Sequence, residues 1–173
     1  MQKIVFDLDG VLRNLQAGLN KEFGIPHFKE WFWLWEGEDI FYWVKHSDYR
    51  ILTDSPPTKY LDVVKRNIDK VFLWTCQPED WKKHTIQWVE KYLNYAFYLF
   101  LDTEGKRELL DTLKDVWLVE DSPNFSNYDR IILIDRPYNR HIKVKYRIKK
   151  PKELECLIKS LTQEKDKNLK QAA

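Results

Sequence analysis

Residues 3–12 read KIVFDLDGVL, a run of β-branched and aromatic residues that passes into two aspartates and a glycine. Its apolar part predicts a buried β-strand over residues 3–8. Four later runs share this character: 70–76 (KVFLWTC), 96–102 (AFYLFLD), 115–120 (DVWLVE) and 130–135 (RIILID). Strands that are apolar almost throughout are typical of a parallel sheet covered on both faces by helices.

Segments with helical periodicity lie between these strands. In residues 79–93, Trp81, Thr85, Trp88 and Tyr92 recur at spacings of three and four and therefore share one helical face. Helices are predicted over residues 57–67, 79–93, 106–113 and 151–161. The alternation predicts an α/β fold, a three-layer Rossmann-like domain with a mainly parallel sheet.

Residues 14–54 break this rhythm. They contain helical patches, no convincing strand and a dense group of aromatic residues, and Ser55-Pro56-Pro57 marks the return to the main domain. We therefore predict a small helical cap (residues 14–54, "the cap") inserted after the first strand. The predicted core comprises residues 1–13 and 55–162, and residues 163–173 form a polar tail that we expect to be frayed.

Composition excludes several classes of protein. The chain has 173 residues, 43% apolar and 32% charged, which suits a folded domain rather than a disordered or membrane-spanning chain. Its net charge of +2 argues against a nucleic-acid partner, and we interpret the basic run 141–152 (HIKVKYRIKKPK) as a solvated edge. Two cysteines exclude a four-cysteine zinc site. The chain lacks a signal-peptide layout and a long apolar run, so we expect a cytoplasmic protein without a membrane partner.

Polar residues capable of catalysis lie at the predicted strand ends, where ligands bind in open parallel sheets. They are Asp7, Asp9 and Gly10 after the first strand, Thr75 in the second, Lys106 at the start of the helix after the third, and Glu120 and Asp121 after the fourth. Each has a commoner explanation alone; Asp9-Gly10, for example, is an ordinary turn sequence. Their convergence on one sheet edge favours a functional site.

This set of residues suits metal-assisted phosphate chemistry. Clustered carboxylates repel one another unless a cation lies among them, and Mg²⁺ prefers carboxylate and phosphate oxygens. A lysine, a hydroxyl and backbone N–H groups near Gly10 are suitable donors to the phosphate. One aspartate can attack phosphorus, and a second can protonate the leaving oxygen and later activate water.

The segment FDLDGVL (residues 6–12) resembles the first motif of the haloacid dehalogenase-like phosphohydrolase superfamily, in its phosphatase form. Thr75, Lys106 and the pair Glu120-Asp121 follow in the order of that superfamily's later motifs. Ser55-Pro56-Pro57, VFLWTCQP (71–78) and IDRPYNR (134–140) further resemble the 5′(3′)-deoxyribonucleotidase family.

The resemblance implies a Mg²⁺-dependent phosphatase acting on nucleoside, in particular deoxyribonucleoside, 5′-monophosphates. It implies Asp7 as nucleophile and Asp9 as general acid and base. Thr75 and Lys106 are implied to bind phosphate. Asp7, the Asp9 carbonyl and Asp121 are implied as metal ligands. The cap residues implied to contact the base are Trp33, Trp43 and Tyr49.

The sequence departs from the family at three positions. Cys76 replaces a small hydroxyl, Glu120 replaces an aspartate, and Leu15 lies where the family often has an aromatic residue.

The alternative functions are a phosphatase of nucleic-acid ends or of another small phosphomonoester, and a non-catalytic phosphate-binding protein on the same fold. The surplus aromatic residues of the cap also fit a homodimer interface.

Overall fold

The computed structural model describes residues 3–93 and 96–171, with the side chains of the last helix described as far as Leu161. Within these residues six strands form one sheet in the order β3-β2-β1-β4-β5-β6, and every described pairing is parallel. The strands are β1 (Lys3–Phe6), β2 (Phe72–Thr75), β3 (Phe97–Phe100), β4 (Val116–Glu120), β5 (Ile131–Ile134) and β6 (Tyr146–Ile148). This confirms the predicted α/β, Rossmann-like fold.

The helices that cover the sheet follow the predicted order. The main-domain helices are α4 (Leu61–Asn67), α5 (Glu79–Tyr92), α6 (Thr103–Thr112) and α7 (Pro151–Gln171), and those between β1 and α4 are α1 (Leu15–Phe23), α2 (Ile40–His46) and α3 (Arg50–Asp54). Two short 3-10 helices, Pro123–Phe125 and Pro137–Asn139, follow β4 and β5. None of the described helices combines the length and apolarity needed to cross a membrane.

Alternate residues of the central strands face opposite layers because successive side chains of a strand point to opposite faces. Ile4 and Phe6 pack in the cluster that contains residues of α4, α5 and α7, whereas Val5 packs with Leu110 of α6 and Phe125. The central strands are therefore buried on both faces, as their near-continuous apolar sequences indicate.

The segment 14–54 has a small apolar cluster of its own. Leu19, Val44 and Leu52, from α1, α2 and α3, pack together with Trp81 of α5. Trp81 therefore connects the cap to the main domain. Residues 28–39 form no helix in this structure. Trp31, Trp33 and Trp35 are half-buried and alternate with the exposed Phe32 and Leu34 in a segment of bends and a turn.

The structure differs from the sequence-based expectation at its edges. Strand β6 lies within the basic run 141–152 and was not predicted, because a three-residue strand among charged residues has no clear apolar pattern. Edge strand β3 is not covered on both faces: Phe97 and Leu99 are 57% and 52% exposed. Helix α7 begins at Pro151 as predicted but continues to Gln171, through most of the segment expected to be a frayed tail.

Candidate active site

The candidate site lies at the carboxyl ends of β1 and β4, where the strand order reverses direction. Strands β2 and β3 extend the sheet on one side of β1, and β5 and β6 extend it beyond β4. In such sheets the crevice at the reversal is the usual ligand site, because the connections on its two sides run to opposite faces. Asp7 directly follows β1, and Asp121 directly follows β4.

A buried lysine joins two carboxylates at this point. Lys106 Nζ donates to Asp7 Oδ1 at 2.6 Å and to Glu120 Oε2 at 2.9 Å, and all three side chains are buried. Lys106 lies in the first turn of α6, whose N-cap Asp102 accepts a hydrogen bond from the backbone N–H of Gly105 at 2.7 Å. The helix start thus directs the ammonium group into the crevice.

Asp121 is held by the segment after β5. The Tyr138 hydroxyl donates to Asp121 Oδ2, and Asn139 Nδ2 donates to the Asp121 carbonyl at 2.8 Å. Gly10 passes close to the same carboxylate. A Cβ atom built on Gly10 lies only 1.7 Å from Asp121 Oδ2, and its φ of +77° also favours glycine.

The buried charges at this site do not balance. Asp7, Glu120 and Asp121 lie close together, and the buried Lys106 pairs with Asp7 and Glu120. Burial, followed by the negative charge of Glu120, raises the pKa of Asp7 to about 7. Burial, followed by the negative charges of Glu120 and Asp7, raises the pKa of Asp121 well above its ordinary value. The positive charge of Arg136 lowers the pKa of Asp121, but it does not outweigh burial and the neighbouring carboxylates. For Lys106, burial lowers the pKa, but the carboxylates of Asp7 and Glu120 outweigh it and hold the pKa above its ordinary value.

This excess of negative charge fits a divalent cation. Asp7, Glu120 and Asp121 each offer an oxygen, and these oxygens lie within 4.8 Å of one another. Opposite oxygens around a bound Mg²⁺ or Ca²⁺ ion are about 4–5 Å apart, so the span suits one coordination sphere. The donors are all oxygens, which hard cations prefer. The Asp9 carboxylate is not part of this cluster, because it faces Arg13.

Asp9 is held on the opposite side of the loop. Its two carboxylate oxygens accept from Arg13 Nε at 2.6 Å and from an Arg13 terminal nitrogen at 2.8 Å. Gln77 Nε2 donates to Asp9 Oδ2 at 2.8 Å and to Thr75 Oγ1 at 3.2 Å. The structure therefore brings Asp9 and Thr75 together through Gln77, a residue that our sequence analysis did not single out.

The backbone N–H and carbonyl groups of Gly10 both form hydrogen bonds within the protein. Its N–H donates to the Arg13 carbonyl at 2.9 Å, and its carbonyl accepts from Arg136 Nε at 3.0 Å. Because this N–H is already paired, Gly10 is not a ready donor to phosphate in this structure. Its small size instead permits the close approach of Asp121.

A cleft of about 820 Å³ opens from these carboxylates toward the cap. This volume lies in the range of about 300–1,000 Å³ that is usual for small-molecule sites. Its lining includes Asp7, Asp9, Gly10, Thr75, Cys76, Lys106, Glu120 and Asp121. It also includes five aromatic side chains from the cap and α5, namely Phe28, Trp31, Trp33, Phe41 and Trp81. Carboxylate groups and aromatic rings therefore line the same cavity.

Of the cap aromatics implied to contact a base, Trp33 lines the cleft and stacks on Phe28 with ring centroids 3.8 Å apart. Trp43 and Tyr49 are not among the described residues that line it. Trp43 packs against Phe23 in the cap, and the Tyr49 hydroxyl donates to Asp80 on α5 at 2.7 Å. Both therefore serve the packing of the cap in this structure.

Sequence reasoning missed several lining residues. Arg136 and Tyr138 lie two and four residues after the end of β5, so the strand-end rule that selected Asp7 and Asp121 also points to this segment. Trp31 contacts Tyr138 with ring centroids 5.5 Å apart and thereby connects the cap to the segment that holds Asp121. No local pattern distinguishes Trp31 from the other aromatic residues around it.

Comparisons with known proteins yield similarities of fold. No protein-family model and no curated protein matches the chain. Among solved structures, it is similar to a HAD hydrolase of family IA, variant 3, from Entamoeba histolytica (15% identity, TM-score 0.48, 92% of this chain and 100% of that one). It is also similar to CbbY from Rhodobacter sphaeroides in complex with xylulose-1,5-bisphosphate (14% identity, TM-score 0.46). A second structure of CbbY, in complex with phosphate, has 15% identity and a TM-score of 0.47. Each similarity covers 86% of this chain and 93% of that one. The assignment of an activity therefore depends on the site itself.

Proposed function

We propose that this protein is a phosphatase of the haloacid dehalogenase-like type that requires a divalent cation, with Mg²⁺ as the expected ion. The observation that carries the proposal is the buried cluster of Asp7, Glu120 and Asp121, in which Lys106 joins Asp7 to Glu120, at the reversal point of a parallel sheet. A carboxylate, an ammonium group and a set of cation ligands at the end of an open cleft are the groups that phosphoryl transfer needs.

In this proposal Asp7 is the nucleophile. One Asp7 oxygen attacks phosphorus, the bond from phosphorus to the leaving oxygen breaks, and an aspartyl-phosphate forms. Lys106, already 2.6 Å from Asp7 Oδ1, offsets the negative charge of the phosphoryl oxygens. The Thr75 hydroxyl, buried at the end of β2, is a further donor. A cation held by Asp7 and Asp121, with Glu120 beside them, would supply additional charge neutralisation.

Asp9 performs the proton transfers in this scheme. Its carboxyl gives a proton to the leaving oxygen as the phosphorus–oxygen bond breaks. A water molecule then attacks the aspartyl-phosphate and gives a proton to Asp9, which releases phosphate and restores the Asp7 carboxylate. Asp9 lines the cleft and is separate from the Asp7–Lys106 contact, so the two aspartates can hold different roles.

We further propose nucleoside 5′-monophosphates, in particular deoxyribonucleotides, as the substrates. The support is the set of cap aromatic residues that line the cleft, because a flat base stacks on aromatic faces with about 1–3 kcal/mol per base. Trp31 and Trp33, which are half-buried, supply such faces in the lining of the cleft.

The test is phosphate release from a panel of ribo- and deoxyribonucleoside monophosphates, sugar phosphates and a 3′-phosphorylated oligonucleotide, with Mg²⁺ or with EDTA. We expect Mg²⁺-dependent release from the mononucleotides, abolished by Asp7→Asn and unchanged by Asp62→Asn, which alters an exposed aspartate on α4. Phosphate release from sugar phosphates or oligonucleotides alone would reject nucleoside monophosphates as the substrates but would still support the phosphatase activity. No release from any compound would reject the phosphatase.

A further inference from the structure

Arg13 is a charged residue that lies in the interior of the protein. Its side chain has no exposed surface, and it is not among the described residues that line the cleft. An arginine is always charged and its guanidinium group only donates hydrogen bonds, so burial without acceptors would be strongly unfavourable. The acceptors that Arg13 uses therefore indicate what it does.

Two of the hydrogen bonds that the Arg13 side chain donates go to the carboxylate of Asp9. Arg13 meets the two Asp9 oxygens with two nitrogens, at 2.6 and 2.8 Å, in the forked geometry that fixes the plane of a carboxylate. A single donor leaves a carboxylate free to rotate, whereas two parallel donors do not. Arg13 thus sets the direction in which Asp9 faces the cleft.

The far side of the guanidinium group is fixed by two other elements. One terminal nitrogen donates to the Leu52 carbonyl of α3 at 2.7 Å, and both terminal nitrogens lie 3.3 Å from Thr85 Oγ1 on α5. The Thr85 hydroxyl in turn donates to Gln77 Oε1 at 3.0 Å, and Gln77 holds Asp9 from its other side. The position of Asp9 therefore depends on contacts to the cap and to α5.

We propose that Arg13 is a positioning residue that aims the Asp9 carboxyl at the leaving oxygen of the substrate. This inference rests on the proposed function, in which Asp9 protonates that oxygen. Proton transfer needs the two heavy atoms within hydrogen-bond reach and in line, so an Asp9 that rotates loses the transfer while Asp7 still attacks. The loss should matter most where the leaving group needs its proton.

The experiment compares kcat/KM for a nucleoside monophosphate with that for 4-nitrophenyl phosphate, whose leaving group departs without a proton. The first variant, Arg13→Lys, keeps the positive charge but cannot donate two parallel hydrogen bonds to Asp9. The second, Thr85→Val, keeps the shape of the side chain but lacks the hydroxyl. Arg130→Lys is the matched control, because Arg130 also donates to main-chain carbonyls but lies before β5, at the opposite end of the strand.

We expect Arg13→Lys to lower kcat/KM for the nucleotide about tenfold or more and for the aryl phosphate less than about threefold. Asp9→Asn should show the same selective loss, Thr85→Val a smaller one, and Arg130→Lys none. If Arg13→Lys lowers kcat/KM equally for the two substrates, the positioning role of Arg13 is overturned, while the proposed phosphatase activity still stands. If Arg13→Lys does not fold, Thr85→Val decides in the same way. A wild-type protein inactive on both substrates would reject the proposed function, and this inference with it.

Discussion

At this site the role of a single residue can depend on how closely a neighbouring side chain approaches its backbone. Gly10 is the clearest example, because Asp121 occupies the space that any side chain at position 10 needs. The same glycine has a positive φ, so two separate physical reasons favour it there. A substitution at a second positive-φ glycine can separate these reasons experimentally.

Gly10→Ala should weaken Mg²⁺ binding by about tenfold or more, because the new Cβ displaces the Asp121 carboxylate. Gly24→Ala is the control. Gly24 has a φ of +71° but no atom within 4 Å of a built Cβ, so only the backbone strain of roughly 1 kcal/mol applies. Calorimetric titration with Mg²⁺ and urea unfolding of both variants measure the two effects. Equal Mg²⁺ affinity in the two variants would contradict this role of Gly10.

At the scale of elements, the cap divides its aromatic residues between two tasks. In the non-helical segment 28–39, Trp31, Trp33 and Trp35 are half-buried, and Trp31 and Trp33 line the cleft. Helix α2 places Trp43 against Phe23 of α1 instead. The conformation of each segment, rather than its composition, therefore determines which rings are available to a ligand.

Trp33→Ala should raise the KM for a nucleoside monophosphate about fivefold or more, the equivalent of about 1 kcal/mol of lost stacking. Trp43→Ala, in the same cap but outside the described lining of the cleft, should leave the KM within about twofold and instead lower the stability of the cap. Steady-state kinetics and thermal unfolding distinguish these effects. A larger KM change for Trp43→Ala than for Trp33→Ala would reject the base-binding assignment of the cleft.

For the whole molecule, the excess of buried carboxylates makes the free energy of unfolding depend on pH and on the bound cation. The pKa of Asp7 rises from 3.8 to about 7 on folding. Between these values the unfolded chain loses the Asp7 proton while the folded chain retains it. The contribution of Asp7 to the unfolding free energy therefore falls as pH rises from about 4 to about 7. Asp121 shifts in the same direction.

A cation that binds the ionised carboxylates should offset this loss. We expect Mg²⁺, compared with EDTA, to raise the Tm more at about pH 8 than at about pH 5, because protons compete for the same oxygens at low pH. Asp7→Asn removes one of these groups and should reduce both the Mg²⁺ effect and its pH dependence. Thermal unfolding with Mg²⁺ and with EDTA measures both, and a Tm shift that is independent of pH would contradict the cation site.

Much of the fold was predictable because its signals are local. The apolar runs that became β1, β2, β4 and β5 are short, continuous and bounded by polar residues. Strand β6 carries no such signal, and its pairing with β5 is a long-range contact. The exposure of β3 likewise follows from its place at the edge of the sheet, which its apolar sequence does not reveal.

The sequence by itself determined the order of the first five strands and of the main-domain helices, and the polar residues at the strand ends, because periodicity and position after a strand are properties of neighbouring residues. Only the tertiary structure decided the partners of those residues. Lys106 meets Asp7 across 99 positions of the chain, and Tyr138 meets Asp121 across 17. The choice of Trp33 over Trp43 likewise depends on how the cap packs, since such contacts form only when distant segments are brought together. Asp9 and Arg13 are only four residues apart, but the contacts of Arg13 to Leu52 and Thr85 join segments 39 and 72 positions away.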